Sequence, residues 1–232
     1  MSFSLSTGIF LGPLDQQLCD IINELRNLKL SIEDQGHPAD YVGVSIKKLK
    51  NGVIELTQRA LIDSIISNVA LGNSKVKAVP AKVSEVLHAH LDKPPFSLNF
   101  GYRSVIGKLN YFAQTTRPDI VYVTHQLAKY SSNPREPHGE AVLYLIHYLK
   151  KTQDLGTCFK PNQDKGFECY CNADFSGNWN KHLAPFDPST AKSRSGWIVF
   201  YAGCLVIWAS KLQTQVALST TEAEYIAMSQ SL

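Results

Sequence analysis

Apolar residues in the first third of the chain recur with two different periods. Steps of three and four residues predict amphipathic helices, whereas alternation of apolar and polar residues predicts strands. Asn51-Gly52 separates two alternating stretches and is typical of a tight hairpin turn. The predicted elements are a helix over 14–28 after Pro13, strands over 41–46 and 53–57, and a helix over 61–69 that ends at Leu71-Gly72-Asn73.

The middle of the chain has a helical pattern. Residues 73–100 carry Pro80, Pro94 and Pro95 with few apolar repeats, which indicates a connecting segment. Three helical stretches follow between 102 and 151, and the second begins at Arg117-Pro118-Asp119. Their apolar positions are Val105, Ile106, Leu109 and Phe112; Ile120, Val123, Leu127 and Tyr130; and Val142, Leu145, Ile146 and Leu149.

The last third changes to the period of strands. Hydroxyl residues over 219–221 precede Glu222, an N-cap signature that predicts a helix through Met228. The predicted strands before it cover 167–174, 196–201 and 205–208, with a short strand over 214–218. Strands followed by a helix, after a largely helical middle, predict an α+β fold.

Composition excludes several classes of protein. With 44% hydrophobic residues the chain can bury a core, and a net charge of +3 excludes a histone-like polycation. The chain contains no run of 18 apolar residues, and its N-terminus lacks the basic start and long apolar stretch of a secretory signal. We therefore expect an intracellular protein, cytoplasmic or nuclear, without a membrane partner. Five scattered cysteines without paired spacing favour reduced thiols over a disulfide framework.

The helical middle is more basic than the whole chain. Between 102 and 160 the lysines and arginines exceed the acidic residues to give a net charge of +4, and six tyrosines are interleaved with them. Such charges can follow a phosphate backbone, because cations supply most sequence-independent affinity for nucleic acid. The alternative is a solvated helix face with half-buried tyrosines.

Carboxylates in the last third form a candidate metal site. Asn172 and Asp174 share one face at the end of a strand, and Glu222 and Glu224 point to different sides of the following helix. A strand carboxylate and a helix carboxylate can converge on a divalent metal, with Glu224 the better candidate because Glu222 can complete the N-cap. The alternative is that both glutamates favour the helix dipole and Asp174 caps a turn.

Several ordered motifs resemble the copia-type LTR retrotransposon polyprotein over essentially the whole chain. The motifs are YRSVIGKLNY over 102–111, TRPDI over 116–120, SRSGW over 193–197, WASKLQ over 208–213 and LSTTEAEY over 218–225. The resemblance implies three regions: the end of a reverse transcriptase palm and a thumb-like part over 1–80, a linker and helical connection over 81–160, and the N-terminal half of an RNase H-like domain, a mixed sheet with a helix, over 161–232.

The resemblance also implies losses. Ser6 and Thr7 stand where the family has the paired aspartates of its polymerase, and Asn172 stands where its RNase H has the first catalytic aspartate. Asp174 and Glu224 match vestigial catalytic and Mg²⁺-binding positions. An amide oxygen is a weaker ligand for a hard cation than a carboxylate, so we expect this chain to bind Mg²⁺ weakly or not at all.

We therefore expect a truncated, catalytically inactive reverse transcriptase and RNase H fragment that binds RNA–DNA hybrid or duplex without sequence preference. Arg117, Lys150, Lys151 and Lys211 are the predicted nucleic-acid-binding residues. One alternative is an RNA-directed DNA polymerase and RNase H component that works only beside other parts of a retrotransposon polyprotein. Another is a domesticated interaction protein or a non-functional relic.

Overall fold

The computed structural model describes residues 15–28, 39–69, 76–82, 87–185 and 187–232. Residues 1–38 form a unit of their own, in which helix α1 spans Asp15–Asn27 and confirms the predicted first helix. Arg26 in its last turn lies at the negative end of the helix dipole. The predictions for Ser6, Thr7, Pro13, Leu14 and 71–73 lie outside the described residues.

The predicted hairpin belongs to a four-stranded antiparallel sheet. Its strands, in their order across the sheet, are β1 (Asp40–Tyr41), β2 (Val44–Lys48), β3 (Ile54–Thr57) and β4 (Thr157–Phe159). The β2–β3 pairing confirms the hairpin, and Gly52 in its turn has a φ of 79°.

A single strand over 41–46 is a wrong prediction. Val42 and Gly43 have φ values of 50° and 76° and fold β1 back on β2, with Tyr41 opposite Val44. Positive φ at both central residues is the geometry of the two-residue turns that join antiparallel strands. A β-branched valine rarely adopts it, which is why the alternating pattern hides the turn.

Strand β4 is too short to be recognised by its pattern, yet it completes the sheet. Its pairing places Leu56 opposite Thr157 and Ile54 opposite Phe159. Gly156 enters the strand so close to the Leu56 carbonyl that a Cβ at this position would collide with it. The sheet therefore joins the hairpin to the chain that follows the last helix of the middle region.

The helices of the middle region form one apolar core together with the helix after the hairpin. They are α2 (Arg59–Asn68), α3 (Tyr102–Thr115), α4 (Val121–Ala128), which follows a 3₁₀ turn over Pro118–Ile120, and α5 (Glu136–Lys151). The predicted periodicity is confirmed, because Leu109, Leu127 and Leu145 are fully buried. Ile62 and Ile65 of α2 belong to the same core.

The predicted connecting segment has no helix within its described residues, 76–82 and 87–100, and packs against α5. Pro95 forms an isolated bridge with Arg135. A Cβ on Gly139 of α5 would lie 2.7 Å from the ring of Phe96, so only glycine admits the segment at this distance. Whether the family's region boundaries fall near 80 and 160 stays a prediction.

The last third forms a second antiparallel sheet and a helix. The strands β5 (Phe167–Asp174), β6 (Arg194–Tyr201) and β7 (Cys204–Leu212) are neighbours in that order, and α6 (Thr220–Ser231) packs against β5 and β6. The Ser219 hydroxyl accepts a hydrogen bond from the Glu222 N–H, which confirms the predicted N-cap. The architecture is α+β, as predicted, but the mixed sheet that the resemblance implies is wrong for the described strands, because both of their pairings are antiparallel.

The short strand predicted over 214–218 is wrong. Among the described residues the segment has no strand partner, and side chains hold its backbone instead: Lys192 donates to the Thr214 carbonyl and Glu222 accepts from the Leu218 N–H. Just before it, the buried Gln213 donates to Ser195 and to the Ala223 carbonyl. These bonds turn the chain from β7 into α6.

A buried arginine connects the ends of three helical elements. Arg117 is 1% exposed and makes a two-pronged ion pair with Asp119, at 2.8 and 2.7 Å. The same guanidinium donates to the carbonyl and the hydroxyl of Thr152, and Tyr148 donates to Asp119 at 2.7 Å. Burial raises the pKa of Asp119, but the hydrogen bonds from Arg117 and Tyr148 outweigh it and hold that pKa below its usual value.

Asp119→Ala is expected to lower the free energy of unfolding by about 2–3 kcal/mol, because it leaves the Arg117 charge buried without its counter-charge. Chemical denaturation followed by circular dichroism measures this. The matched control is Asp92→Ala, which removes an exposed partner of Lys93 and is expected to leave the unfolding midpoint nearly unchanged. Equal effects of the two substitutions would contradict the role assigned to Arg117.

A buried histidine holds the start of α5. The Nδ1 atom of His138 accepts from the Arg135 N–H at 2.9 Å, and its Nε2 lies 2.8 Å from the His88 carbonyl. A backbone N–H can only donate and a carbonyl can only accept, so the ring is neutral with its proton on Nε2. The ring also stacks on Tyr130, with centroids 4.2 Å apart, and burial lowers the pKa of His138 below its usual value.

The protein is therefore expected to lose stability as pH falls below the ordinary histidine value of 6.5. The unfolded chain then binds a proton that the folded His138 resists, so protonation favours unfolding until the folded pKa is passed. Unfolding midpoints between pH 7.5 and 5 measure the loss, and His138→Gln should reduce the slope. Part of the pH dependence should remain in this variant, because burial also lowers the pKa of His147. An NMR titration showing a raised His138 pKa would contradict this.

Candidate functional site

The end of β5 and the first turns of α6 bring the predicted carboxylates together. Asn172 and Asp174 lie on one face of β5, and both are exposed. The Glu224 carboxylate accepts a hydrogen bond from the N–H of Ala173, the residue between them, at 2.9 Å. Glu224 therefore lies at the strand end, whereas Glu222 bonds the Leu218 N–H at 2.7 Å and completes the N-cap, as predicted.

The donor atoms at this strand end do not fit a two-magnesium centre. Glu224 is already hydrogen-bonded to the backbone, and Asn172 offers a neutral amide. The Asp174 carboxylate turns over Gly177, where a Cβ would collide with it. Within the described part of the chain, no group of three or more His, Cys, Asp or Glu side chains can hold a metal ion. Two-metal phosphodiester chemistry requires more carboxylates than the pair found here.

A groove lies between the face of the second sheet that carries Asp174 and the start of α4. We call it the α4–sheet groove, and its volume is about 470 Å³. Two hydrogen bonds join the second sheet to the helices beside the groove: the Trp208 indole donates to the Ala113 carbonyl of α3 at 2.8 Å, and His125 Nδ1 of α4 donates to the Ser210 carbonyl at 2.5 Å. The side chains that define it are Tyr122, Tyr170, Asn172, Asp174, Arg194 and Trp208.

Arg194 reaches across this groove. Its guanidinium lies 5.3 Å from the centre of the Tyr122 ring, within range of a cation–π interaction, and its Nη1 donates to Ser210 over 3.4–3.5 Å. Sequence reasoning missed the aromatic residues and Arg194 as a group. Alternate positions 170, 172 and 174 share a strand face, which was a usable signal, but the Tyr122 wall comes from a different region of the chain.

The predicted nucleic-acid-binding residues fall into two groups. Arg117 is wrong as a phosphate ligand, because burial and its bonds to Asp119 and Thr152 leave it no access to a strand. Lys151 is exposed and Lys150 is half-buried at the end of α5. Lys211 is exposed on β7, with its ammonium group 5.3 Å from the centre of the Trp197 ring.

The three lysines share one property. Lys150, Lys151 and Lys211 have no carboxylate within ion-pair distance among the residues that the structure describes. Lys93 and Lys129, in contrast, pair with Asp92 at 3.5 Å and with Asp187 at 2.9 Å. The three unpaired ammonium groups are therefore available to an external anion.

Searches of known proteins find retrotransposon polyproteins. The chain is 29% identical over 206 residues to the retrovirus-related Pol polyprotein from transposon TNT 1-94 of Nicotiana tabacum, covering 86% of this chain and 15% of that protein. It is 29% identical over 213 residues to the polyprotein from transposon RE1 of Arabidopsis thaliana, covering 88% and 13%. The chain is therefore similar over most of its length to retrovirus-related Pol polyproteins from transposons.

The chain is also similar to a protein that is named as a secreted effector. Over 133 residues the chain is 33% identical to secreted RxLR effector protein 161 of Plasmopara viticola, covering 57% of this chain and 87% of that protein. No family model matches the chain, and no solved structure matches it. Among the helices that the structure describes, none has the length and apolar character needed to cross a membrane.

Proposed function

We propose that this chain is the thumb, connection and partial RNase H-like region of a copia-type polyprotein, and that it binds nucleic acid without catalysing a reaction. The partner is an RNA–DNA hybrid or a duplex, bound without sequence preference. The observation that carries the proposal is that the ammonium groups of Lys150, Lys151 and Lys211 have no carboxylate partner in the part of the chain that the structure describes. Unpaired cations displace counterions from phosphates, which is the main source of non-specific affinity.

The absence of catalysis in this proposal is supported by the donor set at the end of β5. Asp174 and Glu224 are the family's matching carboxylates, and Asn172 supplies an amide where the resemblance implies an aspartate. The Glu224 carboxylate accepts a hydrogen bond from the Ala173 N–H, which is a structural role. Magnesium is the metal that the family implies, and it would supply charge stabilisation at a phosphodiester if other parts of a polyprotein completed the site.

A second candidate function is that of a domesticated interaction protein. The similarity to an effector protein of Plasmopara viticola, most of which the chain covers, favours this alternative. The two functions differ in one observable. Phosphate binding weakens steeply with salt, whereas recognition of a protein surface through apolar contacts does not.

The chain alone is expected to leave the RNA strand of an RNA–DNA hybrid uncut in magnesium, because its donor set lacks the carboxylates of two-metal chemistry. Gel analysis of labelled hybrid measures cleavage. Asn172→Asp restores one carboxylate and is expected to strengthen Mg²⁺-induced NMR shifts at Ala173 and Asp174 without restoring cleavage. Metal-dependent cleavage by the parent chain, absent in Glu224→Gln, would refute the inactive assignment.

Binding to hybrid or duplex is expected to fall with salt at a log–log slope of roughly −0.9 per phosphate contact, so weak binding at 50 mM salt should be nearly lost by about 200 mM. Lys150→Ala/Lys151→Ala should reduce that slope by up to about two without changing sequence preference. Fluorescence anisotropy at several salt concentrations measures both.

The charge-matched control is Lys93→Ala/Lys129→Ala, because both of these lysines already pair with carboxylates. It is expected to leave the salt slope close to that of the parent chain. An equal loss of slope in the two double variants would mean that net charge, and not the end of α5, accounts for binding. Salt-independent binding would favour the interaction protein.

A further inference from the structure

The α4–sheet groove has the size and lining of a small-ligand site. Its volume of about 470 Å³ lies within the range of such sites, roughly 300–1,000 Å³. Tyr122, Tyr170 and Trp208 supply aromatic surface, and Tyr170 is 58% exposed. Apolar walls with a few convergent polar groups are the usual composition of a site that binds a planar organic ligand.

Two opposite charges lie on neighbouring strands in the sheet wall of this groove without forming an ion pair with each other. Asp174 and Arg194 are directly opposite in the β5–β6 register, so their side chains share one face of the sheet. No ion pair forms, because Arg194 leans towards Ser210 and the Tyr122 ring, on the far side from β5.

Both groups keep unused hydrogen-bonding capacity. The Nε–H of Arg194 is buried and has no hydrogen-bond partner within the described ranges, which is a costly state for a donor. Among the described residues, no hydrogen bond or ion pair reaches the carboxylate of Asp174, although Glu224 and Asp187 nearby in the fold are both bonded. The groove therefore presents a carboxylate acceptor and a guanidinium donor on neighbouring strands, in a lining that also contains aromatic rings.

We propose that the α4–sheet groove binds an unpaired guanine base. Guanine offers two donors, N1–H and the exocyclic amine, to a carboxylate such as that of Asp174. Its O6 and N7 atoms accept two hydrogen bonds from an arginine, a pairing that is the most common specific contact to guanine. Its faces stack on aromatic rings, which Tyr122 and Tyr170 provide.

Adenine does not match the same pair of charged groups. Its N1 is an acceptor, so it would place a lone pair against the Asp174 carboxylate. It also has an amine, and not an oxygen, at the position that Arg194 would contact. The groove therefore distinguishes between the two purines by charge complementarity, while base stacking alone would accept both.

The base has two possible sources, a free guanine nucleotide or an unpaired guanine in a nucleic-acid strand. The second source rests on the proposed function, whereas the first does not. Binding of a mononucleotide is therefore tested separately from the salt-dependent contacts of Lys150 and Lys151. Loss of one of these properties leaves the other measurable.

The experiment titrates the full chain with GMP and with AMP and follows the Trp208 indole N–H signal by NMR. Trp208 lines the groove, and its indole is fixed by the bond to Ala113, so its signal reports on occupancy. We expect saturable binding of GMP, about tenfold tighter than AMP, the scale of one bidentate contact. Asp174→Asn should abolish the preference, since an amide cannot accept both guanine donors.

Tyr170→Ala should weaken binding of both nucleotides, and Tyr201→Ala is its matched control. Tyr201 is similarly exposed, at 62%, but lies at the other end of the sheet, opposite Phe167. Equal affinity for GMP and AMP, or an unchanged preference in Asp174→Asn, would overturn the proposal. The substitutions at Asp174, Tyr170 and Tyr201 all change exposed side chains, so each variant is expected to fold.

Single-stranded oligonucleotides that differ by one central guanine or adenine identify the source of the base. Tighter binding of the guanine strand than of GMP supports capture from a strand. Binding of GMP with no gain from the strand supports a free nucleotide. If neither the mononucleotides nor the oligonucleotides show a preference for guanine over adenine, the proposal is overturned. This conclusion does not depend on whether duplex binding through Lys150 and Lys151 is observed.

Discussion

The buried guanidinium of Arg117 is the constraint on which the helical part of the structure depends. A guanidinium cannot lose its charge inside a protein, so its donors must all find acceptors before it can be buried. Asp119, just before α4, and Thr152, just after α5, accept four hydrogen bonds from it. This fixes the end of α5 against the start of α4. Because α4 carries His125 and Tyr122, the same network also fixes the wall on which the second sheet rests.

Arg117 also shows why charge in a sequence is an ambiguous signal. An arginine can form an ion pair with an aspartate two residues away, as Arg117 does with Asp119. A buried acceptor elsewhere in the chain, here the Thr152 carbonyl, then holds the guanidinium in the protein interior. Nothing in the sequence distinguishes such an arginine from one that faces a phosphate. The lysines at the end of α5 are different, because a compact ammonium group on a flexible stem stays in water unless a carboxylate holds it.

Elements defined by local pattern could be predicted, and elements defined by distant partners could not. The helical positions around Leu109, Leu127 and Leu145 repeat within single turns, and their burial follows from that repeat. Strand β4 has only three residues and exists because β3 accepts it. The same reasoning explains the candidate site: the approach of Glu224 to the end of β5 follows from a strand-then-helix pattern, whereas the groove needs Tyr122 from another region.

The pairing of β3 with β4 has a consequence for how the protein reaches its native state. It joins residues 54–56 to residues 157–159, so the polypeptide between them must be closed into a long loop before the sheet can be complete. The entropy of closing a flexible loop rises with its length, and contacts of this kind slow folding. Assembly of α2 to α5 shortens the effective loop, because the helices bring its two ends together. We therefore expect β4 to pair with β3 only after the helices have assembled, so that a complete sheet indicates a formed helical core.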